Sequence, residues 1–346
     1  MTIILAGDVG GTKTILGIYT FVNNVLLLQV QEKYESSKFK SFNELLQSFL
    51  SVVKVRVDIA VFACAGPILD RSVHLTNLKW KINADNLEKK FCIDRVELIN
   101  DLQGIACAVP ELSKNKLFLL TMNASDISGN KAVLAPGTGL GMATLVKCRQ
   151  EWHAVASEGG HADFAPVDEL QIQLLLYLSK GQQCDIESVL SGQGILNIYN
   201  FLKKMEVIPK CINNGNFLHF GSIANLTKPL PKSMRFAIKE TLRNPTAADI
   251  SAAAIAKNDE LSMKTMEVFV SILARTASNL ALKSFATGGV YLAGGIVPKI
   301  LPLLKNFSKQ FCHKGKMQHL LKKIPVFVVM DERAALMGAA LYAKSL

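Results

Sequence analysis

The first fourteen residues constrain the fold more than any other stretch of the chain. A short apolar run ends on Asp8, two adjacent glycines and Thr12 follow, and a second apolar run covers residues 15–22. Two strand-like runs joined by a glycine turn predict a β-hairpin. A Walker A loop and a dinucleotide fingerprint are both excluded, because each of them leads into a helix and this turn leads into a strand.

The residue types in this turn indicate a site for a polyphosphate. Gly10 and Gly11 have no Cβ, so a large ligand can approach the backbone closely. Successive amide N–H groups in such a turn can converge on an anion, and Thr12 adds a hydroxyl donor. Asp8 places a carboxylate where a hydrated Mg²⁺ would accompany the phosphates. The alternative interpretation is a tight hairpin turn beside an acidic residue.

Composition favours a water-soluble α/β protein. With 346 residues and an apolar fraction of 49%, the chain has material for two domains. No apolar run reaches the ~18 residues of a membrane span, and no basic segment precedes the first apolar run, so we expect a cytoplasmic protein with no membrane contact. The seven cysteines are scattered in sequence, which predicts free thiols and no metal cage.

The net charge of +11 is unevenly distributed. Residues 299–323 contain seven lysines and no acid, which leaves +4 on the rest of the chain. Such a segment could bind an acidic partner such as nucleic acid. Its apolar residues recur at helical spacing, however, so we interpret it as an amphipathic helix with solvated lysines and expect no nucleic-acid partner.

The order of elements predicts two related α/β units. After the first hairpin come a strand at 25–34 and a helix at 42–53. A buried strand at 57–64, a helix at 84–91 capped by Asn83, and a strand at 96–99 complete the first unit. From Lys131 a second hairpin follows, with strands at 132–135, 142–146 and 152–156 and a Gly137-Thr138-Gly139 turn. We therefore expect two similar halves facing one another across a cleft.

The sequence predicts mainly helices for the remainder of the chain. We expect helices at 168–179, 195–204, 247–257 and 260–286, strands at 290–293 and 326–329, and a closing helix at 332–343 that packs back on the first unit. The Pro-, Gly- and Asn-rich residues 209–231 predict a long loop.

Asp101 is the candidate general base. It follows the strand at 96–99, and ligands of open α/β sheets gather at the carboxyl ends of strands. Phosphoryl transfer to an alcohol requires a carboxylate that takes the hydroxyl proton. The alternative is an ordinary helix N-cap.

Two further polar segments suit sugar hydroxyls. Glu158 and His161 flank a Gly-Gly turn, which is either a sugar-binding loop or a surface turn. Glu187, taken alone, is typical of a first-turn helix acid.

Six motifs in order resemble those of the bacterial glucokinases, within the actin and hexokinase superfamily, and extend from residue 8 to residue 298. They are Asp8-Val9-Gly10-Gly11-Thr12, Ile99-Asn100-Asp101, Gly137-Thr138-Gly139-Leu140-Gly141, the stretch from Glu158 to Pro166, Val189-Leu190-Ser191-Gly192, and the stretch from Ala293 to Pro298. Thr76-Asn77 with Trp80 also resembles a segment of that family.

The resemblance implies a fold and a reaction. The fold is α/β, of the two-domain actin/hexokinase-like (ribonuclease H-like) type, with a cleft between a smaller domain, residues 1–110 plus the closing helix at 331–346, and a larger domain, residues 111–330. The implied reaction is phosphoryl transfer from MgATP to the 6-hydroxyl of glucose. The partners are glucose and ATP, and we expect a homodimer.

The resemblance also assigns roles to residues. Asp101 matches the base, and Asn100, Glu158, His161 and Glu187 match the residues that hold the other sugar hydroxyls. The ATP site would comprise Asp8, Gly10, Gly11, Thr12 and Lys13 in the first phosphate turn, Gly137, Thr138 and Gly139 in the second, and Gly294 and Gly295 near the adenosine. Mg²⁺ would have no direct protein ligand, with Asp8 reaching it through water.

Three departures from the family pattern leave alternatives open. Pro136 removes an amide N–H beside the second turn, Lys13 replaces a common asparagine, and Gln193 stands where proline is frequent. The zinc-binding cysteine cluster of the wider repressor, open-reading-frame and kinase family is absent, which favours the glucokinase branch. The alternatives are a kinase for another hexose or phosphoryl donor, a sugar-responsive regulator, and a nucleic-acid-binding protein.

Overall fold

The structure, a computed structural model, describes residues 2–23, 25–75, 78–121, 128–149, 151–212 and 244–346. Thr76-Asn77 therefore lies outside the described residues. Two larger sheets and one small sheet carry the strands of these ranges.

The first sheet has five strands in the order β3-β2-β1-β4-β8. Its strands are β1 (Ile3–Val9), β2 (Lys13–Val22), β3 (Val25–Glu35), β4 (Ile59–Cys64) and β8 (Arg95–Asn100). β1, β2 and β3 pair antiparallel, so the predicted N-terminal hairpin is confirmed. β4 runs parallel to both β1 and β8, which brings the ends of β1 and β8 to one edge of the sheet.

Local capping signals set two helices at their predicted positions. Helix α1 (Phe42–Val53) begins where Ser41 accepts a hydrogen bond from the Glu44 backbone. Helix α2 (Ala84–Phe91) begins where the Asn83 side chain accepts one from the Asn86 backbone at 2.9 Å. A small sheet that the sequence analysis missed, β5 (Ile68–Leu69), β6 (Ser72–Leu75) and β7 (Trp80–Asn83), lies between them in the chain.

The second sheet repeats the arrangement of the first, with six strands in the order β12-β11-β10-β13-β14-β9. Its strands are β9 (Leu117–Leu119), β10 (Lys131–Pro136), β11 (Leu140–Cys148), β12 (Glu151–Ser157), β13 (Val290–Leu292) and β14 (Val326–Val329). Three antiparallel strands again lead to parallel neighbours. The predicted repetition of the hairpin is thereby confirmed, whereas β9, which pairs antiparallel with β14, was not predicted.

The remaining helices surround these sheets. They are α3 (Asp101–Ala108), α4 (Glu169–Ser179), α5 (Gly192–Ile212), α6 (Ala247–Ala256), α7 (Glu260–Lys283), α8 (Phe307–Cys312), α9 (Gln318–Leu321) and α10 (Ala334–Tyr342). The loop expected at 209–231 is wrong for residues 209–212, which continue α5, and its other residues lie outside the described ranges. Once the first turn of a helix has formed, each added residue gains a hydrogen bond, so α5 continues into these four residues.

The lysine-rich segment does not form one helix. Residues Val297–Asn306 form a 3₁₀-helix that contains Pro302, and α8 and α9 follow as separate short helices. Proline lacks the N–H that would continue an α-helix. The predicted sidedness is nevertheless confirmed, because Ile300, Leu304, Phe307 and Phe311 are buried and the lysines are exposed apart from the half-buried Lys314.

Helices α3 and α10 lie against both sheets. Leu102 and Ala106 of α3 pack with Val133 and Ala135 of β10, whereas Leu336 and Ala339 of α10 pack with the face of the first sheet. The two helices touch through glycine, since a Cβ on Gly338 would overlap the carbonyl oxygen of Gly104. The closing helix therefore packs on the first sheet.

Two properties follow from the described residues alone. The six cysteines whose side chains are described carry free thiols, as expected. None of the helices in the described ranges has the length and apolar character needed to cross a membrane.

Candidate active site

The predicted first phosphate turn joins β1 to β2 at the edge of the first sheet. The backbone N–H of Gly10 donates to the carbonyl of Lys13 at 3.0 Å and closes the turn. Thr12 is exposed at its tip. Burial raises the pKa of the Asp8 carboxyl to about 6, and the nearby Lys13 ammonium opposes part of that rise. Asp8 and Lys13 therefore lie close together beside the turn.

The predicted second phosphate turn, residues 137–139, joins β10 to β11 in the second sheet. Gly137 donates its N–H to the carbonyl of Gly139 at 2.8 Å, and Gly192 at the start of α5 donates to the carbonyl of Gly137 at 2.8 Å. Thr138 is exposed at the tip. The second turn thus resembles the first in its position at the end of a hairpin.

Gly294 and Gly295 follow β13, the neighbour of β10. Gly294 has φ of +84°, and a Cβ there would lie 2.6 Å from the Pro136 carbonyl oxygen, so only glycine fits without strain. A Cβ on Gly295 would meet open space. The pair is therefore held against the strand that leads into the second turn, with Gly295 facing outward.

Asp101 stands at the first position of α3, directly after β8. The Leu102 N–H donates both to the Asn100 side chain, at 2.9 Å, and to Oδ1 of Asp101, at 2.8 Å. Asn100 is the N-cap residue, so the capping role weighed against catalysis for Asp101 belongs mainly to its neighbour. Asp101 supplies a first-turn acid whose carboxylate is fixed by one backbone donor.

The charges around Asp101 show which predicted site residues come together. Burial, together with the smaller effect of the negative charges of Asp8 and Glu158, raises the pKa of its carboxyl to about 6, although the hydrogen bond from the Leu102 N–H opposes part of that rise. Asp8 belongs to the first sheet, and Glu158 follows β12 of the second. Three candidate acids from distant parts of the chain therefore converge at one place.

The Glu158-Gly159-Gly160-His161 segment forms a 3₁₀ turn that is tied to the residues around Glu187. Gly160 accepts a hydrogen bond from the Glu187 N–H at 3.0 Å, and Ala162 accepts one from the Ile186 N–H at 2.9 Å. A Cβ on Gly160 would overlap the Leu140 carbonyl oxygen. The turn is therefore packed against β11, and Glu158 and His161 at its ends are exposed.

Glu187 contacts both the turn at 137–139 and the segment at 158–161. Its Oε2 accepts a hydrogen bond from the Leu140 N–H at 2.7 Å, and a Cβ on Gly139 would lie 2.5 Å from the same oxygen. The side chain is half-buried. Glu187 thus connects the turn at 137–139 with the loop at 158–161, which its sequence position as a plain helix acid did not indicate.

Asp185 is a residue beside the candidate site that the sequence analysis missed. Its Oδ2 lies 2.9 Å from His161 Nδ1, and this hydrogen bond raises the pKa of the imidazole. Burial raises the pKa of Asp185 itself, but hydrogen bonds from Ser188 and His161 more than offset this and hold it below its usual value. No motif marks Asp185; only its place two residues before Glu187 could have suggested it.

Ser36 is a second residue that the sequence analysis missed. It is fully buried beneath the first turn, where its hydroxyl donates to the Gly10 carbonyl at 2.8 Å. Ser36 lies 24 residues beyond Thr12 in the sequence, so only the folded hairpin brings it to the turn.

The described residues do not form a metal-binding cluster of protein side chains. Among the described residues, no three His, Cys, Asp or Glu side chains are grouped as a metal site. Asp8 remains the carboxylate beside the first turn, which suits a metal ion that is bound through a nucleotide and water.

The chain is similar to known proteins over almost its whole length. A family model described as Glucokinase matches residues 5–346. A glucokinase of Trichormus variabilis is 38% identical over 356 residues, covering 100% of each chain. The structure of a glucokinase from an Antarctic psychrotroph has a TM-score of 0.80 at 29% identity, with 100% of both chains covered. A ROK family glucokinase from Streptomyces griseus in complex with glucose and AMPPNP has a TM-score of 0.60 at 17% identity, covering 99% of this chain and 100% of that one.

These likenesses confirm the expected fold class, the two-domain actin/hexokinase-like α/β fold. The residues that the family model matches include all six motifs. Because that model spans almost the whole chain and a relative is 38% identical over its full length, the chain belongs to the glucokinase family.

Proposed function

We propose that the protein transfers the γ-phosphoryl group of MgATP to the 6-hydroxyl of glucose and forms glucose 6-phosphate. The observation that carries this proposal is the convergence of Asp101 with Asp8 of the first phosphate turn and Glu158 of the sugar loop. A base, a phosphate turn and a hydroxyl-binding acid are the three parts that an alcohol kinase must bring together.

Asp101 is proposed as the general base. With a pKa of about 6, its carboxylate is ionised at neutral pH and still basic enough to accept the hydroxyl proton as the new P–O bond forms. The Leu102 N–H holds Oδ1 in place, so the base needs no reorientation during the reaction. Alignment of the hydroxyl with the γ-phosphate then accounts for much of the rate enhancement.

Asn100, Glu158, His161 and Glu187 are proposed to hold the other sugar hydroxyls. Carboxylates accept from hydroxyl groups, whereas the imidazole nitrogen that is not bonded to Asp185 accepts from a hydroxyl in the neutral ring and donates to one in the protonated ring. The contact between Glu187 and the Leu140 backbone ties the sugar site to the second phosphate turn. Sugar and nucleotide would therefore be positioned by one connected set of groups.

The nucleotide is proposed to lie between the two turns, with Gly10 to Lys13 and Gly137 to Gly139 at the phosphates and Gly294-Gly295 near the adenosine. Backbone N–H groups and the Lys13 ammonium neutralise phosphate charge. Mg²⁺, when bound, supplies further charge neutralisation and would be held by the nucleotide and water, with Asp8 as the nearby carboxylate. The Streptomyces griseus relative, in complex with glucose and AMPPNP, has the same fold.

Three further properties stay proposals. We place the boundary between the smaller and larger domains at residue 110, with residues 331–346 returning to the smaller one, because α10 packs on the first sheet. We also propose a cytoplasmic protein that acts as a homodimer. Size-exclusion chromatography with light scattering would test the last point, and a monomer at micromolar concentration would contradict it.

A coupled assay that detects glucose 6-phosphate tests the reaction. The assay would compare glucose with other hexoses and ATP with ADP and polyphosphate. We expect the highest kcat/KM for glucose with MgATP; a clear preference for another sugar or donor would instead support the alternatives noted above.

The variant that tests the proposed general base is Asp101→Ala. We expect it to lower kcat by at least about a hundredfold, because general-base catalysis contributes on that order, while glucose binding measured by calorimetry remains detectable. Near-normal turnover in Asp101→Ala would show that another group takes the proton.

A further inference from the structure

The turn between β1 and β2 is held from below by one buried residue of the following 3₁₀-helix, Ser36–Lys38. The Ser36 hydroxyl donates to the Gly10 carbonyl at 2.8 Å, and the Ser36 N–H donates to the Thr12 carbonyl at 3.1 Å. One residue thus bonds to two alternate carbonyls of the same four-residue turn.

Thr14 completes a short chain of hydroxyls. Its Oγ1 lies 3.0 Å from Ser36 Oγ. Because the Ser36 proton is directed to Gly10, the Thr14 hydroxyl donates to Ser36, and the order is Thr14 to Ser36 to Gly10. Both side chains are 0% exposed. Water therefore has no access with which to replace either hydrogen bond.

Peptide planarity transmits this arrangement to the opposite side of the turn. In a trans peptide the C=O and the following N–H point in opposite directions. Fixing the Gly10 carbonyl toward Ser36 therefore directs the Gly11 N–H away from it, and fixing the Thr12 carbonyl does the same for the Lys13 N–H. Glycine at 10 and 11 would otherwise leave these planes free to rotate, since it restricts the backbone least.

We propose that Ser36, supported by Thr14, is a positioning residue for the nucleotide: it presets the Gly11 and Lys13 amides as donors to the phosphates of MgATP. This inference rests on the proposed function and adds to it the residue that organises the phosphate turn. Ser36 does not touch the nucleotide and acts through the backbone. Preset donors bind an anion more tightly than mobile ones because less freedom is lost on binding.

The decisive variant is Ser36→Ala, which removes the hydroxyl and leaves the Ser36 N–H bond to Thr12 in place. We expect KM for MgATP to rise about tenfold, on the order of the effect of losing one hydrogen bond, and KM for glucose to stay within about twofold. Calorimetric titration with MgATP should show the same loss of affinity without turnover. A residue that merely stabilised the fold would not separate the two substrates in this way.

Thr14 supplies an independent variant of the same chain. Thr14→Val, which keeps the shape and removes the hydroxyl, should raise KM for MgATP by about threefold, because Ser36 keeps its own donor but loses its orientation. Thr14→Ser should behave as wild type. In the double variant Ser36→Ala/Thr14→Val the effects should combine to less than their product, since both act through one hydrogen-bond chain.

Thr20→Val is the matched control. Thr20 is a buried threonine of the same strand, and its hydroxyl accepts from Gln29 at 2.9 Å at the far end of the hairpin. We expect it to leave both KM values unchanged. If Ser36→Ala folds and retains wild-type affinity for MgATP, or if both KM values rise together, the inference is wrong; if Ser36→Ala does not fold, the Thr14 pair decides in the same way. Failure of the wild-type protein to bind MgATP would contradict the proposed function itself.

Discussion

At the residue scale, the carboxyl cluster of Asp8, Asp101 and Glu158 sets a pH dependence. Because burial and the two neighbouring charges raise the pKa of Asp101 to about 6, and because a base must be ionised, we expect kcat/KM to fall as the pH drops through about 6. Initial rates from about pH 5 to about pH 8 would measure this.

Asp8→Asn tests whether the charge of Asp8 contributes to the fall of kcat/KM below about pH 6. The substitution removes a negative charge beside Asp101, so the midpoint of the profile should move to lower pH, although it describes the coupled cluster rather than one group. A profile that is flat through pH 6, or one that Asp8→Asn leaves in place, would contradict the assignment.

The buried carboxylate of Asp8 should lower the free energy of unfolding at neutral pH. A carboxyl whose pKa is raised by folding binds more protons in the folded state, so stability falls as the pH rises from 3.8 to about 6 for Asp8. We expect Asp8→Asn to raise Tm at neutral pH by a few degrees and to lose this advantage near pH 4. Differential scanning calorimetry at both pH values, with the exposed Asp163→Asn as control, would decide.

Asp185 should act on the sugar side of the site. Asp185→Asn removes the carboxylate whose hydrogen bond raises the pKa of His161, so the imidazole should titrate at lower pH in an NMR experiment. We expect KM for glucose to rise several-fold with KM for MgATP unchanged, since the His161 ring loses its orientation. Asp163→Asn is the matched control, because Asp163 bonds to Gln183 and not to His161; an unchanged His161 titration in Asp185→Asn would contradict the role.

At the element scale, the contact between α3 and α10 depends on glycine. A Cβ on Gly338 would overlap the Gly104 carbonyl oxygen, so Gly338→Ala must push the two helices apart. We expect a loss of about 1–3 kcal/mol in the free energy of unfolding, the usual cost of overpacking, measured by urea denaturation. The neighbouring Met337→Leu conserves volume and should change stability little; equal stability of Gly338→Ala and wild type would mean that the helices can separate freely.

Local signals in the sequence predicted some elements well. The bounds of α1 and the Asn83 cap of α2 follow from apolar spacing and a capping side chain, and both signals lie within the helix concerned. The strands β5 to β7 and β9 have only two to four residues each, too few for an alternating pattern to emerge. Their pairing is a property of the fold rather than of the segment.

Only part of the candidate site was predictable from the sequence. Asp101 and the two glycine turns carry recognisable chemistry in short motifs, so their positions could be read from the sequence. Ser36 and Asp185 could not, because each acts through a partner distant in sequence, Gly10 in one case and His161 in the other. The links of Glu187 to Leu140 and Gly160 likewise required the folded chain.

At the scale of the whole molecule, the site combines groups from both larger sheets, so we expect the two units to close on the sugar. Closure would exclude water that could otherwise accept the phosphoryl group. Small-angle scattering should show a smaller radius of gyration with glucose than without it, and ATP hydrolysis in the absence of sugar should be slow. An unchanged scattering curve at saturating glucose would contradict closure.

The packing of α10 on the face of β1 and β4 has a consequence for biosynthesis. The strand β1 begins at Ile3 and the helix that covers Ile4 and Ala6 begins at Ala334, so the ribosome makes the strand long before the helix. Until that helix emerges, the apolar face of the first sheet stays exposed on the nascent chain. A chain that terminates before the helix would expose this face permanently. Truncated products should therefore be captured by chaperones or degraded rather than persist as half-enzymes.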